Sequence, residues 1–497
     1  MQLSSQTQIA VIGAGVMGAG IAQTAAKAGH RVFVIDRDQA ALEKGRQSVS
    51  RSLIEQVQRG HCSPEELAKR TDRIGWSTDI RAIAGSALVI EAIVERLDIK
   101  RALFRDLAAI VTPTAILASN TSSFSIASLA EDMPAPERIL GLHFFNPVPA
   151  MKLVEVVATQ HTSSEVSQAA LTLMRQWQKH PVTVRDVPGF IVNRVARPYY
   201  AEGFTALSED VPAEDIDHAL TASGEFRMGP LALADLIGHD VNYAVAASIY
   251  DAYQGRTRFR PQPAQEALVV GGRLGRKTSA GVYDYQSARP RANLAEAVAP
   301  PTTVQASERD ARTCPLFHSA IEAGLTVSIN DRLESGVLEI DGVRLALGDG
   351  RPLSGRGDIE ILLDHARDLS SAKSLVMTAN HPAARRVAAG FAQALGKGAL
   401  FVSDRPGQIV LRTLVQLANA AADAAADQVA SDAAIDDAMI YGANHPQGPL
   451  AWARRHGMER VRDTLAHIAR ETSDPLYSPA PYLTQARQKN FPEMSYD

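Results

Sequence analysis

Cysteine is nearly absent: Cys62 and Cys314 are the only two in 497 residues. Two cysteines cannot build a disulfide framework, and no CxxC pair occurs, which suits a reducing compartment. No HExxH and no Cys/His cluster with zinc spacing is present, so no metal site is expected. Charge of one sign is missing too. The formal net charge is −4, and without a basic surplus nucleic acid is not an expected partner. No apolar run approaches the roughly 18 residues that a membrane span needs. The N-terminal MQLSSQTQ carries no charged-then-apolar leader. These absences lead to the expectation of a cytoplasmic protein with no membrane partner.

What remains is an ordinary globular composition, 45% hydrophobic and 21% charged. The chain is too long for one core, and two to four domains are expected. Short apolar runs alternate with helical stretches over the first 185 residues: QIAVI (8–12), RVFVI (31–35), SALVIEAIV (86–94), AILAS (115–119) and KLVEVV (152–157). Such alternation implies a parallel sheet covered on both faces. Residues 37–73 read as a charged helical excursion, a hairpin inserted into that pattern. After VPGF (187–190) the pattern turns helical: IVNRVARPYYAEGFTALSE reads as one long helix and DLIGHDVNYAVAASIYDAY as another. The expected organisation is an α/β Rossmann-type domain over 1–185, a helical domain over 186–285, a linker with a small mixed α/β region over 286–400, and a second helical domain over 401–497.

An internal repeat supports that last region. DVPGFIVNRV (186–195) returns as DRPGQIVLRT (404–413), and DIDHALTASGEFRMGPLALA (215–234) returns as AIDDAMIYGANHPQGPLAWA (434–453). Order and spacing are preserved. The second copy has Leu411 where the first has Asn193, and no glycine loop precedes it. It is expected to be a degenerate, catalytically silent helical domain.

The first strand ends in GAGVMG (13–18), a G-x-G-x-x-G followed at once by a helical pattern. Gly13 permits a tight turn, Gly15 lets backbone approach a pyrophosphate, and Gly18 lets helix and strand lie close. Val16 and Met17 sit between them at the helix start, where amides face phosphates. Asp36 ends the next strand, where a carboxylate binds the ribose hydroxyls of NAD and repels the 2′-phosphate of NADP. Arg37 beside it leaves NADP open. GGRLGRKT (271–278) superficially suggests a phosphate loop, but it lacks the Gly-Lys pair and follows no strand.

A second signal is GLHFFNPVPAMKLVEV (141–156), where His143 and Glu155 stand twelve residues apart in apolar sequence. Oxidising an alcohol needs a base for the hydroxyl proton. A histidine whose ring is held by a carboxylate can be that base. HFFNPVP reads as a loop and KLVEVV as a strand, so the chain can fold back between them. Spacing alone leaves a structural histidine open.

Five motifs in order, GAGVMG, SNTSSFSI (119–126), GLHFFNPVPAMKLVEVV (141–157), DVPGFIVNRV (186–195) and GRKTSAGVYDY (275–285), resemble the (S)-3-hydroxyacyl-CoA dehydrogenases of β-oxidation. The resemblance covers about residues 7–290. The later half, through LGDGRPL (347–353), QALGKGALFVSDRPG (393–407), NHPQGPLAWA (444–453) and DPLYSPAPYL (474–483), resembles the long bacterial members of phenylacetate breakdown, which act on 3-hydroxyadipyl-CoA. The resemblance implies His143 as catalytic base, Glu155 as its partner, and Ser122 and Asn193 as catalytic and substrate-binding polar groups. Asn120 would lie between nicotinamide and substrate. Glu95, Lys100 and Lys277 match cofactor-contacting positions. It further implies NAD as cofactor, an acyl-CoA substrate and a homodimer.

Three readings compete within these motifs: a 3-hydroxybutyryl-CoA dehydrogenase with the same residues, a sugar-acid dehydrogenase of the gulonate type, and a non-catalytic NAD-binding scaffold. Coenzyme A phosphates could be held by any of Lys44, Arg46, Arg51, Arg59, Lys69, Arg70 and Arg73. A terminal acyl carboxylate would call for an arginine, with Arg194, Arg197 and Arg227 as candidates.

Overall fold

The computed structural model describes residues 3, 4 and 7–485. The end of the region expected at 401–497, residues 486–497, lies outside them. By compactness the chain divides into two units, residues 1–194 with 427–443, and residues 195–426 with 444–497.

The first unit is built on eight strands: β1 Ile9–Ile12, β2 Val32–Ile35, β3 Ile74–Ser77, β4 Leu88–Glu91, β5 Ile116–Ser119, β6 Ile139–Phe144, β7 Leu153–Ala158 and β8 His180–Arg185. Their spatial order is β3-β2-β1-β4-β5-β6-β7-β8. β1, β4 and β5 are buried at every position, as strands covered on both faces must be. This is the Rossmann-type arrangement expected of the N-terminal domain. The all-parallel expectation needs correction: β6 and β7 pair antiparallel, and β8 follows β7. The 37–73 excursion is a helical hairpin, Gln39–Gln58 and Pro64–Asp72, whose amides are capped by Asp38 and Ser63.

The helix Asp432–Gly442, expected in the fourth region, packs in the first unit against β7 and β8. His180 Nε2 meets Asp437 Oδ2 at 2.8 Å, and its ring lies 4.2 Å from that of Tyr441. A Cβ on Gly442 would come within 2.4 Å of Leu153, so only glycine allows this approach.

The second unit begins with helices. The two long helices expected there are each interrupted. The first is cut short at Ala196: the turn Val192–Val195 spans the end of the first unit's residues at 194, and Arg197–Ser208 follows in the second, with Pro198 in its opening turn. The second splits into Pro230–Ile237 and His239–Ala252 at Gly238, whose φ of +100° no helix tolerates.

The mixed α/β region expected within 286–400 is larger than a small appendage to a linker. It carries a seven-stranded sheet: β9 Thr303–Ala306, β10 Thr326–Ile329, β11 Val337–Ile340, β12 Val343–Leu347, β13 Ile361–Leu363, β14 Ser374–Ala379 and β15 Gly398–Phe401, in the order β10-β9-β11-β12-β13-β14-β15. Most of these strands are four residues or shorter, too short for a periodic signal. The helices Val410–Ala426, Pro449–His456 and Met458–Thr472 follow.

Candidate active site

At the end of β1 the three glycines separate by cause. Gly13 has φ +107°, and a Cβ there would lie 2.5 Å from the Ala92 carbonyl oxygen. A Cβ on Gly18 would lie 1.8 Å from the Gly13 carbonyl oxygen. Packing therefore demands both. A Cβ on Gly15 meets nothing within 4 Å, so the fold itself does not require glycine there. Open backbone at that point is what the approach of a diphosphate requires. Gly15 is also the N-cap of the helix Val16–Lys27, and no side chain caps it, leaving first-turn amides for an acceptor. Val16 is exposed and Met17 half-buried beside it. Asp36 follows β2, its Oδ2 accepting the Ala14 amide at 2.9 Å and its Oδ1 the Asp38 amide at 3.1 Å. The carboxylate is thereby held beside the glycine loop. This loop and carboxylate fit a dinucleotide.

Glu95 and Lys100 are placed differently from a pair of direct cofactor contacts. The Lys100 ammonium is sealed from solvent, 2.6 Å from Glu91 Oε1 and 3.0 Å from Glu95 Oε2. Glu95 Oε1 accepts the Thr121 hydroxyl at 2.5 Å and the Ser122 amide at 3.0 Å. Burial works to raise its carboxyl, but Lys100 and the bonds from Thr121 and Ser122 prevail and hold it below its usual range.

Glu91 is a member of this network that sequence reasoning missed. It ends β4, fully buried, accepting the Ile93 amide at 2.7 Å and the Ser119 hydroxyl at 2.6 Å. Its signal was present: a glutamate in the apolar run SALVIEAIV must have a partner. Together Glu91 and Glu95 clamp the loop that carries Asn120 and Ser122.

His143 belongs to β6, not to the loop expected at HFFNPVP, and stands directly opposite Glu155 of β7 in the antiparallel register. Its Nδ1 lies 2.6 Å from Glu155 Oε2. Glu155 is entirely buried, and its Oε1 accepts the amides of Ile191 at 2.9 Å and Val192 at 3.0 Å. With a carboxylate at Nδ1, that nitrogen carries the proton and Nε2 keeps a lone pair. The rings of Phe145 and Phe190 lie 4.5 and 5.6 Å from the imidazole. Phe190 holds φ +47° at the turn before Ile191, which aims the two amides at Glu155.

The polar groups expected around this pair gather on the same unit. Asn120 Oδ1 accepts the Phe144 amide at 2.9 Å, tying the loop after β5 to the strand of His143. Ser122 is half-buried, its hydroxyl 3.3 Å from that of Ser123. Asn193 follows the two amides held by Glu155 and is half-buried. Asp186, also missed from sequence, accepts the Ser125 hydroxyl at 2.6 Å and the Ile126 and Ala127 amides at 2.9 and 2.7 Å. It thus joins the Ser122 loop to the segment leading to Asn193.

Three other expectations come out differently. Lys277 lies in the second unit, its ammonium 2.6 Å from Asp240 Oδ2, and is not among the side chains gathered here. Arg194 is withdrawn as a receiver of an acyl carboxylate, because it is 1% exposed and ion-paired with Asp427. Among the basic residues at 44–73, Arg70 is buried against Glu66 and Arg73 donates to the Ala26 carbonyl. Lys44, Arg46, Arg51, Arg59 and Lys69 stay exposed.

Comparison with known proteins identifies the family. The family description "3-hydroxyacyl-CoA dehydrogenase, NAD binding domain" matches residues 8–187, and its C-terminal domain matches residues 189–285 and 407–494. The chain is 39% identical over the whole of both sequences to an Escherichia coli K12 protein named 3-hydroxyadipyl-CoA dehydrogenase. It is 38% identical to the 3-hydroxybutyryl-CoA dehydrogenase of Clostridioides difficile, across 56% of this chain and 99% of that protein. A crystal structure titled as 3-hydroxybutyryl-CoA dehydrogenase from Escherichia coli K12 superposes with a TM-score of 0.87, covering 97% of this chain and 98% of that one at 39% identity. Glycine loop, facing histidine and glutamate, and full-length kinship all lead to one assignment: this chain belongs to the 3-hydroxyacyl-CoA dehydrogenase family and is an oxidoreductase that uses NAD.

Proposed function

We propose that this protein oxidises (3S)-3-hydroxyadipyl-CoA to its 3-oxo thioester, with His143 as the base. The observation that carries the reading is the in-register pair His143–Glu155, with Nδ1 tied to the carboxylate. Nε2 then takes the proton of the 3-hydroxyl, and Glu155 stabilises the imidazolium that forms. NAD, when bound, supplies the hydride acceptor. Ser122 and Asn193 donate hydrogen bonds to the 3-oxygen or the thioester carbonyl, and Asn120 sits between cofactor and substrate. Gly13, Gly15, Val16, Met17, Gly18 and Asp36 hold the dinucleotide. Glu95 contributes from the clamped loop, and Lys100 acts through it.

The six-carbon diacid is favoured because the relative so named matches this chain from end to end, second half included. The four-carbon reading is kept because a full-length structural relative bears the 3-hydroxybutyryl name. Steady-state rates with the two 3-hydroxyacyl-CoA thioesters decide between them, and a higher kcat/KM for the butyryl substrate overturns the adipyl assignment. Oxidation of NADH by acetoacetyl-CoA separates both from a sugar-acid dehydrogenase or a silent scaffold, neither of which would respond. A cytoplasmic location, a place in phenylacetate breakdown and a homodimer complete the proposal, and light scattering on the intact chain tests the last. Among the described residues no helix is long and apolar enough to cross a membrane.

A further inference from the structure

The second sheet repeats seven of the first sheet's eight strands, with no counterpart of β3. Its order β10-β9-β11-β12-β13-β14-β15 corresponds to β2-β1-β4-β5-β6-β7-β8. Directions correspond as well. β9 is parallel to β10 as β1 is to β2, and β12 to β13 as β5 is to β6. β13 opposes β14 as β6 opposes β7, and β14 is parallel to β15 as β7 is to β8. Only β11 departs, running antiparallel to both neighbours.

The correspondence reaches single residues. Counting along β7 and β14, Glu155 becomes Val376. Asp364, whose amide donates to the Val376 carbonyl at 2.9 Å, stands where His143 does. The acid–base pair is gone. Glu155 also holds the Ile191 and Val192 amides, and that task survives: Asp364 accepts the amides of Ile409, Val410 and Leu411 at 2.9, 2.7 and 3.0 Å. The glycine loop is gone too, since β9 runs into SERDART where β1 runs into GAGVMG.

The crevice persists. In doubly wound sheets, ligands bind outside the carboxyl ends of the strands where the strand order reverses. In the second sheet that point lies between β9 and β11-β12, and a cavity of about 840 Å³ opens there. The size suits a nucleotide-sized molecule. Arg309 enters from the end of β9, Arg351 and Arg356 from the segment after β12, and Arg460 from the helix Met458–Thr472. Carboxylates also line it, but most are already engaged. Asp310 is taken up by Ser307, Ser335 and the Gly336 amide. Asp358 pairs with Arg344, and Asp463 with Arg462. Asp349 alone serves both Arg351 and Arg356. Arg309 and Arg460 have no carboxylate partner among the described residues, and the lining carboxylates that pair with no cation are Asp310, held by neutral donors alone, and Glu334.

We infer that this crevice is a second, non-catalytic ligand site that takes a phosphate-bearing ligand of the coenzyme A class. Guanidinium groups suit phosphate oxygens, and loss of the glycine loop removes the support for a dinucleotide. The test is calorimetric titration of the full-length protein with free coenzyme A, beside the variant Arg309→Glu/Arg460→Glu. Two coenzyme A molecules per chain are expected in the wild type. One is expected in the variant, with turnover of acetoacetyl-CoA within twofold of wild type. Coenzyme A binding whose stoichiometry the variant leaves unchanged overturns the inference. Binding of a single coenzyme A that the variant abolishes, in a protein that does not turn over acetoacetyl-CoA, would uphold this site and sink the proposed function instead. Should charge reversal prevent folding, Arg309→Ser/Arg460→Ser serves, with at least tenfold weaker binding at the second site expected and unchanged affinity refuting it.

Discussion

Replacing Glu155 by glutamine swaps one oxygen for an amide nitrogen and, through it, moves the proton on His143. Oε1 of Glu155 accepts two backbone amides, and Oε2 faces His143 Nδ1. The glutamine can keep its oxygen on the amides or turn it to the histidine. Turning it would set its NH2 group against two N–H donors, at about 1–3 kcal/mol for each buried group left unsatisfied. The oxygen therefore stays on the amides and the NH2 group points at Nδ1. That nitrogen must then accept, so the ring proton moves to Nε2, the atom that has to take the substrate proton. Loss of the base and of the charge opposite the imidazolium should lower kcat by about 10²–10⁴-fold, or about 3–5.5 kcal/mol in the barrier. Backbone contacts are preserved, so the folding midpoint and NADH affinity should change little. Absorbance assays of NAD reduction by (S)-3-hydroxybutyryl-CoA, with a fluorescence titration of NADH, read both quantities. Turnover within threefold of wild type would refute the tautomer argument. A fall in NADH affinity as large as the fall in turnover would show that Glu155 acts by holding the fold.

His143→Gln should reduce turnover by about 10²–10⁴-fold while NADH still binds, and stopped-flow hydride transfer near the wild-type rate would remove His143 as base. Gly15→Ala should fold normally and weaken NADH binding, whereas Gly18→Ala, whose Cβ would meet the Gly13 carbonyl oxygen at 1.8 Å, should lose both binding and stability; equal stability of the two variants by thermal melting would contradict this division. The wild type should prefer NAD over NADP by more than tenfold in kcat/KM, and Asp36→Ala should narrow that ratio by removing charge repulsion. Burial lifts the Asp364 carboxyl to about 6, although the amides of Leu411, Val410, Ile409 and His365 pull it down. Its folded value lies above the unfolded one, near 3.9, so this group's contribution is fully present below pH ~4 and is lost as pH rises to ~6. Asp364→Asn should remove this dependence, and urea midpoints of the two proteins that keep a constant gap from pH 4 to 7 would refute the assignment.

Local chemistry was legible in the sequence. GAGVMG between a strand and a helix announced the dinucleotide turn, because glycine is the residue that tolerates positive φ and close backbone approach. The charged hairpin at 37–73 and the returning DVPGFIVNRV were likewise visible, since helical periodicity and repeated words survive without knowledge of neighbours. Pairing across the sheet was not. HFFNPVP reads as a loop because proline and asparagine dominate it, yet His143 is the fifth residue of a six-residue strand, facing Glu155 through a register that only β7 can impose. Glu91 stands in an apolar run and so needs a partner, but that the partner is Lys100, nine residues on and buried with it, is decided only by the folded chain. The strands expected at 286–400 did not announce a seven-stranded sheet, because β13 is three residues long and such a strand owes its existence to β12 and β14 on either side. What a residue can do is set by its own chemistry and nearest neighbours in the chain. Which groups it meets is set by hydrogen bonds and burial between segments far apart in it, and those depend on the folded whole.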